Sequence, residues 1–216
     1  PPLLELGERL DVPAGIEPPE TGVRIELPET LQHVYVTTPL AYYLGAQVVP
    51  GSTPRIVTDH GFEHALDTGL GFEREVERVL KQAFLFDCVV RTEGYYEVDL
   101  KERRELESRI EFDAATVYDW SLARQLEAYL DVPYATVEDL VPEWRLTTHV
   151  APTRENVELL PFVTNDLAVV RTPQADPLPR SEVQAVATDE FFRAEGEAGE
   201  FTRSAGATAA GRSYVQ

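Results

Sequence analysis

The stretch VYVTTPLAYYLGAQVVPGSTPRIVT, Val34–Thr58, decides how this chain is read. It opens on the β-rich run Val34-Tyr35-Val36, because branched and aromatic side chains suit a pleated surface. Thr38 can cap a helix and Pro39 suits a first helical turn. A helix is therefore expected over Leu40–Leu44, ended by Gly45. Gln47–Val49 and Arg55–Thr58 follow as two short strands around the turn signal Pro50-Gly51-Ser52. The order is β-α-β-β.

Downstream, Phe72, Val76, Val79, Leu80, Ala83 and Phe84 recur at helical spacing, with Glu73, Arg74, Glu77, Arg78 and Lys81 on other faces. Glu77 and Lys81 stand four apart in the favourable order. Gly94 breaks this pattern, and Asp99-Leu100-Lys101-Glu102 has the spacing of a new helix start. Trp120–Leu130 is amphipathic, and Thr136 opens a short helix bearing Leu140 and Trp144. Arg145–Val150 reads as a strand, 154–160 as helical and Leu167–Val170 as an apolar strand. The expected class is α/β, with a mixed, largely parallel sheet and a helical insertion over about 60–144.

The ends read differently. Six prolines fall in the first thirty residues, so 1–30 is expected to be an extended arm with edge-strand fragments such as Val23–Leu27. The core domain then covers 31–171. Thr172–Pro179 reads as a linker, Ser181-Glu182-Val183-Gln184 as the cap of a helix to about Ala194, and 195–213 as a flexible tail.

Composition bounds the function. The 216 residues carry 38 Asp+Glu against 19 Lys+Arg, a formal charge of −19. That balance excludes a nucleic-acid groove and an anionic membrane surface as partners, since both need clustered basic residues. The compact apolar run Ala83–Val90 is short and contains Asp87, so no membrane span is expected. One Cys excludes a disulfide framework and a Cys-rich zinc knuckle. Only two cations are Lys, Lys81 and Lys101, and 17 are Arg. A carboxylate surface of this kind repels itself in dilute buffer, and molar salt, with a Debye length of about 3 Å, removes the repulsion. The expected setting is the high-salt cytoplasm of an archaeon, ahead of an ordinary acidic protein.

The sharpest motif is His60-Gly61-Phe62-Glu63-His64, which fits H-x-x-E-H. On a helix, two His four apart share a face and can hold Zn²⁺, with Glu63 as general base toward the metal-bound water. Asp59 would cap that helix and Thr68-Gly69 would end it; Glu138 or Glu143 could supply a third ligand. Against this, Gly61 weakens the helix and His60 sits on its first turn. The preferred reading makes His60 and His64 scaffold, with no catalytic residue, metal or cofactor in this chain. A zinc-dependent hydrolase using His60, Glu63 and His64 is the alternative.

A His60–Cys88 nucleophilic dyad is conceivable, but Cys88 continues the stripe Phe72-Val76-Leu80-Phe84 and reads as core. Arg103-Arg104 read as partners of neighbouring Glu, and Tyr42-Tyr43 and Tyr95-Tyr96 as core and rim. His149 could line a pocket, and a small molecule could bind at strand ends near Thr37-Thr38.

Three segments carry a resemblance: His33–Gly51, Val79–Tyr96 and Leu159–Pro173. They resemble a region of large haloarchaeal proteins that lies ahead of a C-terminal CHAT domain, a caspase-like peptidase module. The resemblance covers about residues 31–205. The catalytic His-Gly and Cys motifs of the CHAT module have no counterpart in matching context, so no catalytic residue is carried over. It implies an excised upstream domain. The expected function is a non-catalytic sensor or interaction domain that regulates the attached module. Its partner would be another domain of the parent chain or a separate protein.

Overall fold

A five-residue strand, Val23–Leu27 (β1), occupies the middle of the main sheet. Val23, Ile25 and Leu27 are buried while Arg24 is exposed, the period-2 alternation of a strand with one face on a core. Thr30 then caps helix α1 (Leu31–Leu44), its hydroxyl accepting from the His33 amide at 3.3 Å. The helix ends at Gly45, whose φ of 57° is left-handed. The Ala46 amide closes back on the Ala41 carbonyl at 2.8 Å. Strand β2 (Gln47–Pro50) returns parallel to β1, and β3 (Arg55–Thr58) pairs antiparallel on the other side of β1. β4 (Glu63–Ala65) is antiparallel to β3, giving the order β2-β1-β3-β4.

The computed structural model describes residues 4, 7, 11–13, 15, 19–94, 98–144 and 146–173. After β4 come α2 (Phe72–Val90), a 3-10 turn (Arg91–Glu93), α3 (Lys101–Arg109), α4 (Ala114–Tyr118), α5 (Leu122–Asp131) and α6 (Tyr134–Val137). β5 (Thr147–His149), a 3-10 turn (Arg154–Leu159), α7 (Leu160–Asn165) and β6 (Val169–Arg171) follow, with β5 and β6 parallel in a sheet of two. α2 is the spine. Val76, Val79, Leu80 and Ala83 join a core with β1, β3 and α1, while Leu85, Phe86, Val89 and Val90 join a second core with α3 to α6.

The α/β class holds, but the main sheet is mostly antiparallel, not largely parallel: two of its three pairings run antiparallel. Parallel neighbours need a crossover, and in this sheet α1 supplies one only between β1 and β2. The four-residue connection Gly51–Pro54 merely reverses the chain. Four other expectations are corrected. Val23–Leu27 is a central strand instead of an edge fragment. Val34–Val36 is helical, because Thr30 starts the helix eight residues before Thr38 and the inward face buries Tyr35, Val36 and Leu40. Pro39 therefore sits inside α1, and Thr38 donates back to the Val34 carbonyl at 2.6 Å. The helix read over 154–160 is a 3-10 turn running into α7, and Thr136 lies within α6 instead of opening it. Most of the expected linker, the C-terminal helix and the tail lie outside the described residues.

Candidate functional site

The H-x-x-E-H residues form a hairpin, not a helix. Asp59 to Phe62 turn the chain between β3 and β4, with Gly61 at φ 87° and its amide on the Thr58 carbonyl at 3.1 Å. Such a φ suits glycine and stops a helix from starting at His60. Asp59 and Thr68 consequently cap no helix through this motif. Strand alternation then separates the motif's side chains. Glu63 is exposed and accepts from Arg55 Nη1 at 3.1 Å, while His64 faces the other way, in register with Ile56.

Each imidazole meets a different carboxylate. His60 Nδ1 lies 3.2 Å from Glu127 Oε1 on α5, which also accepts from Thr58 Oγ1. His64 Nε2 lies 3.0 Å from Glu75 Oε1 on α2. An ionised carboxylate only accepts, so that nitrogen carries the donated proton. Glu75 is 0% exposed and also accepts from Thr68 Oγ1 at 3.0 Å, with Arg78 Nη2 at 3.2 Å. Burial by itself would raise the Glu75 carboxyl; the His64 and Thr68 hydrogen bonds and the Arg78 charge outweigh it and hold it below the ordinary range. The cluster fastens β4 and its following loop to α2. Glu138 and Glu143 are exposed. Among the described residues no group of three or more His, Cys, Asp or Glu is placed to hold a metal ion.

Cys88 is half-buried on α2, not fully enclosed as core. Burial, then the Asp87 charge, pushes its thiol up, and Arg91 and Glu102 are the other charges acting on it. Both effects oppose formation of a nucleophilic thiolate. Beside it, Asp87 accepts from Tyr43 Oη at 2.6 Å and Tyr129 Oη at 3.1 Å. Burial first and Asp87 second raise both phenols far above their ordinary value. Arg103 pairs with Glu93 and Glu107, and Arg104 with Asp99, as expected of surface cations. His149 ends β5 exposed, in register with Arg171. Thr37 and Thr38 are mid-helix, so no strand end meets a ligand there. Tyr95 and Tyr96 lie outside the described residues.

One surface that the chain leaves open is apolar. An open groove of about 370 Å³ runs between α1 and α7, walled by Leu4, Val34, Thr38, Tyr42, Leu160 and Pro161. On its wall Tyr42 is 61% exposed and Val34 37% exposed. Contiguous uncovered apolar surface of this kind marks interaction sites. Reading Val34–Val36 as a strand hid it. With α1 drawn from Leu31, Val34, Thr38 and Tyr42 fall at i, i+4 and i+8 on one helix face. No described helix is long and apolar enough to cross a membrane. Compared with protein-family models, curated proteins and solved structures, the chain finds no match.

Proposed function

We propose that this chain is a non-catalytic interaction domain that regulates an attached module. The observation that carries this reading is the uncovered α1–α7 groove on a chain of charge −19. A surface so rich in carboxylates stays soluble without help, so the exposed Val34 and Tyr42 side chains of the groove wall call for a partner. The hairpin motif supports the same reading, because both imidazoles are engaged by glutamates of neighbouring helices. The resemblance to the region ahead of CHAT modules supplies the partner: a segment of the same parent chain, bound in the salt-rich cytoplasm that the Arg-over-Lys composition suits.

The test is binding of the rest of the parent chain to this domain in molar KCl, followed by fluorescence anisotropy. Binding that disappears with Tyr42→Arg and Val34→Glu is the expected outcome. Equal affinity in those variants would overturn the docking site, and no binding at all would overturn the regulatory role. The salt setting has its own check, since the fold should loosen below about 0.5 M KCl as screening is lost. A melting temperature flat from low to molar salt would remove it. One zinc retained per chain after purification without a tag, on His60 and His64, would put the hydrolase in place of this reading.

A further inference from the structure

A different face of α2 carries a concentration of positive charge that the composition does not foreshadow. Arg74, Arg78 and Lys81 are four and three residues apart, which stacks them on one side of the helix. Arg171, at the end of β6, and Tyr134, from α6, complete an open cleft of about 210 Å³, with Glu77 as the one acidic side chain in its lining. Four of the chain's 19 Lys and Arg thus converge on a single cleft in a molecule with twice as many acids. Like charges at helical spacings of three and four repel, so this arrangement is not what packing alone would select.

The cations are also held in place. Glu77 Oε1 pairs with Lys81 Nζ at 2.6 Å, while Glu77 Oε2 receives Arg171. Arg171 Nη1 donates to the Glu73 carbonyl at 2.9 Å. The Arg78 guanidinium lies 5.1 Å over the Tyr134 ring, with Glu75 beneath it. Arg74 is exposed and has no ion-pair partner among the described residues. In the lining four cations face one acid, Glu77, while buried Glu75 holds Arg78 from below and Glu138 lies near Tyr134, so positive charge is still in excess.

We propose that this cleft binds a small dianionic phosphoryl group, free or carried on a compact molecule. Guanidinium forks match phosphate oxygens in pairs, and Lys81 adds a point charge. The excess of positive charge favours a multiply charged anion, and the volume lies below the ~300 Å³ at which drug-sized ligand sites begin, which selects against a nucleotide. Arg74 is the cation free to close on the ligand. This site is separate from the apolar groove, so its failure would leave the docking reading untouched, and the converse also holds.

The experiment is calorimetric titration of the full chain with inorganic phosphate, glycerol phosphate and acetate, at constant ionic strength set with KCl. Phosphate or the phosphomonoester should bind at least tenfold more tightly than acetate, and the tighter of the two identifies the source of the group. Arg74→Gln should weaken binding by about tenfold, the worth of one charge-assisted contact, with its melting temperature unchanged. Lys101→Gln, on α3, should bind like the wild type. No preference over acetate, or an Arg74→Gln variant with undiminished affinity, would overturn the proposal.

Discussion

Glu75 and Glu77 stand two residues apart on α2 and live in opposite circumstances. Glu75 is buried, with one carboxylate against His64, Thr68 and Arg78. Glu77 is 22% exposed and faces an open cleft where cations outnumber it. Burial would raise both carboxyls, and both are nonetheless held below their ordinary range, Glu75 by His64, Thr68 and Arg78, Glu77 by Lys81 and Arg171. The lesson is that a cluster of charges builds a scaffold when its carboxylate is enclosed and matched. It becomes a binding surface when it is open and unbalanced. His64 of the H-x-x-E-H motif belongs to the first kind.

The strongest way to break that contrast is Glu75→Ala. It leaves His64, Thr68 and Arg78 facing an empty carboxylate position, and removal of one partner from a buried ionic cluster costs about 3–5 kcal/mol. Urea unfolding should show it as a lower midpoint with an unchanged slope. Glu77→Gln should cost less, about 1–2 kcal/mol, because its amide oxygen can still accept from one of the two cations and the site stays open to water. The same variant should bind phosphate more tightly than the wild type. A larger stability loss in Glu77→Gln than in Glu75→Ala would reverse the assignment of the two residues.

Acid sharpens the comparison further. A carboxyl depressed in the folded state stabilises the fold above its unfolded pKa, about 4.3 for Glu, and that contribution is lost as pH falls through the folded value. Stability should therefore decline below about pH 4.3. Glu75→Gln, whose side chain does not titrate, should show a shallower acid limb in melting experiments across pH 2–6. The smallest effect belongs to Tyr42→Arg on the exposed groove wall, within about 0.5 kcal/mol of the wild type. A large loss there would mean that the groove is packed instead of open.

Much of this was legible in advance, for local reasons. α2 was visible because its apolar residues repeat over five turns, and the Glu77–Lys81 pair followed from spacing. Gly45 ended α1 as a glycine with left-handed φ should. The start of α1 was missed because Val34-Tyr35-Val36 favours strand locally, whereas Thr30 and the buried face of Tyr35 and Leu40 decide otherwise. The H-x-x-E-H spacing pointed to a helix because periodicity cannot see the turn at Gly61 or the pairing of β4 with β3. The basic cleft was invisible for a related reason. Arg74, Arg78 and Lys81 read as an ordinary solvated face until β6 brings Arg171 alongside them.

By itself, then, the order of residues determined what short-range physics controls: the acidic charge, the long amphipathic helix, the turns at glycine and the exclusion of a membrane-length apolar run. Tertiary structure alone decided strand direction, the centre of the sheet, and which charges meet. Those depend on contacts beyond helical or strand spacing, from Glu75 with a hairpin His eleven residues earlier to Arg171 with a helix almost a hundred residues earlier, which form only when burial of both cores brings the segments together.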